Sequence, residues 1–237
     1  MNIIKTSEEK CTGCNMCIRV CPIEGANLSV EANGRRIVEI NNERCIECGK
    51  CIQACQHGAR FYIDNTEEFF KQLENGKKIS VITAPAIKVN IPEYKKLFAF
   101  LKSKGVNFIY DVSFGADITT WAYLKAIKSK KTDNIISQPC PVVVNYIEKY
   151  KHNLLEDLAP IHSPAVCAAI YLKKYKKITD DIAMLSPCIS KIEEINDPNT
   201  NGYIKYNVTF NNLQDYLKKN NINLNEYNEI EFDGMDR

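Results

Sequence analysis

From Lys78 onward the chain alternates two apolar patterns. "KISVITAPA", "NFIYDVS" and "DIAMLS" are short, nearly continuous apolar runs, as expected of buried strands. Between them, "IPEYKKLFAFLKSKG", "ADITTWAYLKAIKSKK" and "SPAVCAAIYLKKYKK" space their apolar residues as helices do, the first opened by Pro92 and closed by Gly105. Strands alternating with helices predict an α/β domain with a partly parallel sheet. "NIIS" is expected to run as a strand into Pro139-Cys140-Pro141, with Val142 to Tyr150 continuing as a helix. "DIAMLS" runs into Pro187-Cys188. Both Pro-Cys corners are therefore expected at carboxyl ends of strands, where open α/β sheets place ligands.

The earlier residues follow another pattern. "NLSVEANGRRIVEI" alternates apolar and polar positions around Asn33-Gly34, a hairpin signal. "NTEEFFKQLENGKK" reads as an amphipathic helix capped at Asn65 or Thr66, with Phe69, Phe70 and Leu73 as its apolar stripe and Gly76 as its end. The expected organisation is a first domain over 1–63, a linker helix over 64–77 and an α/β domain over 78–237.

Composition adds exclusions. The 237 residues are 45% hydrophobic and 25% charged, with a formal net charge of +2, a balance that points away from nucleic-acid and membrane partners. No apolar run reaches the roughly 18 residues of a membrane span. The charged start "MNIIKTSEEK" is unlike a signal peptide, so a cytoplasmic location is expected. The lysine runs "KSKK" and "KKYKK" read as solvated helix faces, or as docking sites for an acidic redox partner. Cysteine changes the picture most: of 11, eight fall between Cys11 and Cys55. Without an export signal, such a cluster reads as metal ligation rather than disulfides.

Its spacing names the metal chemistry. Cys11-x2-Cys14-x2-Cys17-x3-Cys21-Pro22 is repeated as Cys45-x2-Cys48-x2-Cys51-x3-Cys55. A tight triplet wraps one face of a cluster, and in the duplicated pattern the fourth thiolate comes from the other repeat. Cys11, Cys14, Cys17 and Cys55 are thus assigned to one 4Fe–4S cluster (cluster 1), and Cys45, Cys48, Cys51 and Cys21 to a second (cluster 2). A pair of zinc sites is the alternative, but structural zinc takes cysteines as separated pairs. Residues 1–63 closely resemble the bacterial two-cluster ferredoxin domain, an α+β fold. Gln56 and His57 depart from it, standing where a proline usually follows the last cysteine; His57 is expected to neighbour a cluster rather than ligate it.

The segments "APAIKV", "DVSFGADITTW", "SQPCPVVVNYIEKY", "LAPIHSPAVCAAIYLKK" and "LSPCISKIEE" resemble, in this order, the catalytic domain of the iron-only (FeFe) hydrogenases. The resemblance implies that Cys140 and Cys188 ligate an active-site cubane. It implies that Lys191 hydrogen-bonds a cyanide of the attached di-iron unit, with Glu194 behind it. It also marks departures. Pro139 stands where active members carry a proton-relaying cysteine, and Thr119-Thr120-Trp121-Ala122-Tyr123 lacks the carboxylate of their proton path. These features resemble the sensory branch of the family. The last family motif, with two more cysteines, is not found, so the α/β domain is expected to be incomplete and the chain to be the N-terminal part of a longer protein. Cys167 is read as a packing residue on an apolar helix face, and His152 and His162 receive no role.

The expected function is a hydrogenase-like iron–sulfur redox protein serving reversible hydrogen oxidation or hydrogen sensing, with slow turnover. Its cofactors would be two 4Fe–4S clusters, plus a third cubane with a di-iron unit if a longer chain supplies the missing ligands. A soluble redox carrier such as ferredoxin, and a fused or separate signalling domain, are the expected partners. Two alternatives stand beside it: a two-cluster electron carrier with a vestigial hydrogenase-like domain, and an iron–sulfur cluster assembly factor.

Overall fold

Both cysteine triplets are shaped by left-handed backbone on either side of the middle cysteine. In the first repeat Gly13 (φ +67°) and Asn15 (φ +61°) flank Cys14; in the second Glu47 (φ +60°) and Gly49 (φ +76°) flank Cys48. Glycine meets one of these demands in each repeat, and a residue that finds the conformation costly meets the other. At Gly13 there is also no room: a Cβ would lie 2.6 Å from the Arg36 carbonyl oxygen. The computed structural model describes residues 3–129 and 134–234, and its chain divides into two compact units.

The first unit comprises the residues up to Ile63 together with Val142–His152. Strand β1 (Ile4–Thr6) leads to the one-turn helix α1 (Met16–Arg19), then the hairpin β2 (Asn27–Ala32) and β3 (Arg35–Ile40). A second one-turn helix, α2 (Lys50–Gln53), precedes β4 (Arg60–Tyr62), which pairs antiparallel with β1. The hairpin turns at Asn33 and Gly34, both at positive φ, as the Asn-Gly signal requires.

The second unit begins with α3 (Thr66–Glu74), which buries Phe69, Phe70 and Leu73 in its core. There follow β5 (Ile79–Thr83), α4 (Ile87–Asn90), α5 (Tyr94–Ser103), β6 (Val106–Asp111) and α6 (Ser113–Lys128). Helix α7 (Pro141–Tyr150) passes into the first unit from Val142 onward. The chain then continues through α8 (Pro164–Lys174), β7 (Asp181–Ser186), α9 (Lys191–Asn196), β8 (Tyr206–Thr209) and α10 (Phe210–Lys219). The four strands form one sheet in the order β6-β5-β7-β8, and every pairing in it is parallel. Such a sheet is covered on both faces, which explains the unbroken apolar runs: all of β5 and all of β8 is buried. Strand β8 and helix α10 add to the elements expected from the pattern.

One expectation is corrected. "NIIS" is not a strand of the sheet; Ile136 makes a single isolated bridge to Leu158. Pro139 and Pro141 lack the N–H that a ladder needs, so pairing ends where it starts. Only the Cys188 corner follows a sheet strand.

Helices α6 and α8 cross at a glycine. A Cβ on Gly115 would lie 2.0 Å from the Pro164 carbonyl oxygen and 2.9 Å from the Ala168 Cβ. No helix among the described residues is long and apolar enough to cross a membrane.

Candidate functional site

In the first unit, Cys11, Cys14, Cys17 and Cys55 line one small cavity with Met16, Val38, His57 and Arg60. The Cys55 thiol is raised by burial, but backbone N–H groups of Arg60, His57 and Ala59 outweigh this and hold it below its ordinary range. Thiolate, the ligating form, is thereby favoured. Arg60 is 4% exposed. Its Nη2 donates to Asn27 Oδ1 at 2.8 Å and lies 3.6 Å from the Cys17 sulfur. Nη1 is buried with no hydrogen-bond partner. A buried cationic donor without an acceptor is costly in protein alone, and an anionic iron–sulfur cluster supplies what it lacks. The residues present fit such a group.

Around the second repeat, Cys48 and Cys21 lie within electrostatic reach of Cys45, and Cys45 and Cys48 within reach of Cys51. Burial raises the Cys45 thiol; the Glu47 backbone N–H, 3.3 Å from its sulfur, opposes this, while the Glu47 carboxylate, Cys48 and Cys21 add to it. Burial pushes Cys51 up to about 12, with Arg60 opposing and Cys45, Cys48 and Cys17 adding. Helix α7 covers this end of the unit. Val142 and Tyr150, like Cys21 and Cys48, pack against Ile23, Ala26 and Ile46. Lys149 Nζ donates to the Cys45 carbonyl at 2.7 Å, and the Tyr150 hydroxyl to the Arg44 carbonyl at 2.6 Å. Among the described residues no three His, Cys, Asp or Glu side chains converge as a single-ion site. Zinc needs its sulfurs about 2.3 Å from one point, whereas in a cluster each thiolate meets a different iron.

In the second unit, the corner after β7 is held by a buried polar network. Ser186 Oγ donates to Asn207 Oδ1 at 2.8 Å and accepts the Cys188 N–H at 3.3 Å. Asn207 Nδ2 donates to the carbonyls of Cys188 (3.1 Å) and Ile189 (3.4 Å). Asn207 is fully buried on β8, and its own N–H donates to Asn65 Oδ1 at 2.9 Å. The other corner is fixed from its N-terminal side. The Gln138 N–H donates to the Tyr123 hydroxyl at 3.1 Å, and the Gln138 side chain donates to the Ile161 carbonyl at 3.0 Å and to that of Ala159.

Lys191 joins the two corners. Its Nζ donates to the Pro139 carbonyl, beside Cys140, at 3.0 Å and pairs with Glu194 at 2.5 Å. The side chains of this pair are 12% and 14% exposed. A one-sided removal would strand a charge in a poorly solvated place.

Cys167 is corrected. The buried residues of α8 are Ala165, Val166, Ala168, Ala169 and Leu172. Cys167 is half-buried beside them and donates towards the His162 carbonyl at 3.5 Å. Burial raises its thiol; a hydrogen bond with Thr119 opposes and the Glu194 charge adds. The small alanines around it gave the sequence an apolar look on more than one helix face. Thr119 itself is buried, with its hydroxyl donating to the Gly115 carbonyl at 2.9 Å. Sequence reasoning missed Arg60, Asn207 and Tyr123. Only Arg60 left a signal: in "ARFYI" the strand alternation is inverted, with the arginine inside and Phe61 43% exposed.

A family model for the iron only hydrogenase large subunit, C-terminal domain, matches residues 77–237, and one for a 4Fe-4S dicluster domain matches residues 10–59. Among solved structures the chain is similar, at a TM-score of 0.60 and 24% identity, to an [FeFe]-hydrogenase. That protein was solved in work on how oxygen inactivation begins with modification and degradation of the 2Fe subcluster of its H cluster. The match covers 73% of this chain and 51% of that one, so the chain spans about half the length of the hydrogenase it matches.

Proposed function

Starting from a chain that belongs to the iron-only hydrogenase large-subunit family and carries a 4Fe–4S dicluster domain, we propose that it passes electrons between its two clusters and a hydrogenase-like site, in hydrogen oxidation or hydrogen sensing. Cys11, Cys14, Cys17 and Cys55 would hold cluster 1, and Cys45, Cys48, Cys51 and Cys21 cluster 2. Cys140, Cys188 and Lys191 would frame the hydrogenase-like site. The observation that carries this reading is the Lys191 bridge, which ties the backbone beside Cys140 to the helix that follows Cys188. A di-iron unit on a cubane is what supplies hydrogen bond-making and bond-breaking in the family. Hydrogen oxidation releases two electrons, and two one-electron clusters can store both. A soluble carrier such as ferredoxin would take them onward.

This chain's residues give such a centre a partial fit. Cys140 and Cys188 are two of the four thiolates a cubane takes. The residues around it also hold few protons to transfer. Pro139 has none, and the only acid on α6 is Asp117, near its start. A missing acid–base relay lowers rates by about 10²–10⁴-fold, which suits a sensor better than a fast enzyme.

The partial thiolate set favours a second reading, a two-cluster electron carrier whose second unit is a scaffold. Anaerobic reconstitution followed by iron analysis and exposure to hydrogen separates the two. More than about eight irons per chain, with hydrogen-dependent reduction of the clusters, supports the hydrogenase-like reading. About eight irons and clusters indifferent to hydrogen would leave the carrier.

A further inference from the structure

We propose that the first unit holds its clusters at different reduction potentials, with cluster 1 the electron sink, and that buried Arg60 sets the difference. The inference rests on the cluster assignment and the electron-transfer reading given above. A guanidinium stays ionised at any working pH, and Arg60 forms no ion pair among the described residues. Its hydrogen-bond partners are neutral Asn27 Oδ1 at 2.8 Å and the Cys17 sulfur of cluster 1 at 3.6 Å, and Nη1 has none; its charge also reaches Cys51 of cluster 2, to which it makes no hydrogen bond among the described residues. Were packing its only purpose, an apolar side chain would serve better at 4% exposure. Each electron added to a cluster adds negative charge, so a fixed cation that donates to its sulfurs favours the reduced state.

Cluster 2 has the opposite neighbour. Glu47, 8% exposed, sits between Cys45 and Cys48 in the triplet, and its carboxylate acts on the Cys45 sulfur. A carboxylate there opposes a further electron. Cluster 2 is also the one whose ligands Cys21 and Cys48 pack against the same small apolar group, Ile23, Ala26 and Ile46, as Val142 of α7. Electrons that reach the pair would settle on cluster 1. The pair is thereby biased to draw electrons away from the hydrogenase-like site, the direction of hydrogen oxidation or sensing rather than evolution.

A potentiometric titration followed by electron paramagnetic resonance tests this on the whole chain carrying its two clusters, with no di-iron unit required. Two resolved one-electron steps are expected in the unsubstituted protein. Arg60→Met should weaken reduction at the upper step by about tenfold, a fall of about 59 mV for one electron, while the lower step moves less. Arg60→Lys, which keeps the charge, should retain most of the upper potential. Glu47→Gln should raise the lower step. An unresolved single step, an upper step unmoved in Arg60→Met, or a shift confined to the lower step would each overturn the proposal. If Arg60→Met fails to retain iron, the Lys and Gln variants decide: a Glu47→Gln protein whose steps both stay in place sinks it. Clusters indifferent to hydrogen would count against the functional reading alone and leave these titrations intact.

Discussion

Cys167 has a thiol whose ionisation is set by neighbours of opposite sense. Burial and the Glu194 charge raise it, and the Thr119 hydrogen bond lowers it. Since thiolate is the reactive form, alkylation of Cys167 in the cluster-loaded protein should be slow at neutral pH and accelerate only above the ordinary thiol range. Thr119→Val should slow it further, because a contact favouring the anion is lost; Glu194→Gln should speed it, because a repelling charge is gone. Peptide mass spectrometry of timed iodoacetamide reactions reads all three, and equal rates across the variants would remove Thr119 and Glu194 as its controls. The spacing of the eight N-terminal cysteines was legible from sequence because local geometry dictates it. The surroundings of Cys167 were not, since Thr119 and Glu194 come from other helices, far off in the chain.

At the scale of elements, two contacts carry more than their size suggests. Gly115→Ala places a methyl against backbone, the Pro164 carbonyl, which cannot rotate aside. Helices α6 and α8 must then part, at a cost of about 1–3 kcal/mol or more. A thermal midpoint lower by roughly 2–4 °C per kcal/mol is expected for a chain of this size; an unchanged midpoint would mean the crossing is looser than described. Asn207→Leu removes the side-chain donor from the Ile189 carbonyl and one of two donors from the Cys188 carbonyl, and leaves the Ser186 hydroxyl only that carbonyl to donate to. Buried orphans cost about 1–3 kcal/mol each, so the urea midpoint should fall clearly, and a neutral result would show water taking the amide's place. Strands β5, β6 and β7 were readable because burial on both faces leaves continuous apolar runs. Strand β8 was not, as "YNVT" places a buried asparagine in the run, and that asparagine's use becomes visible only beside Cys188. The "NIIS" run misled for the converse reason: its apolar residues were plain, but the prolines after it decided that no ladder would follow.

At the scale of the whole molecule, α7 matters most, because its sequence neighbours lie in one unit while it packs in the other. Through Val142, Lys149 and Tyr150 it covers the Cys21, Cys45 and Cys48 end of the dicluster unit. A fragment ending at Ile63 would keep all eight cysteines and lose that cover. It should release iron to a chelator in two phases, with cluster 2 first, where the whole chain retains both; a single slow phase in the fragment would show the helix to be dispensable. No periodicity in residues 1–63 announces this dependence, since the missing piece arrives about 80 residues later. The same arrangement imposes a schedule on synthesis. At about 5–20 residues per second, the covering helix leaves the ribosome on the order of 5–19 s after the last cysteine of the second repeat. During that interval the nascent chain offers its second cluster pocket uncapped to whatever delivers iron and sulfide. Delivery is then open on the ribosome and closed by elongation itself, so a pause before Val142 would prolong loading and a faster ribosome would cut it short.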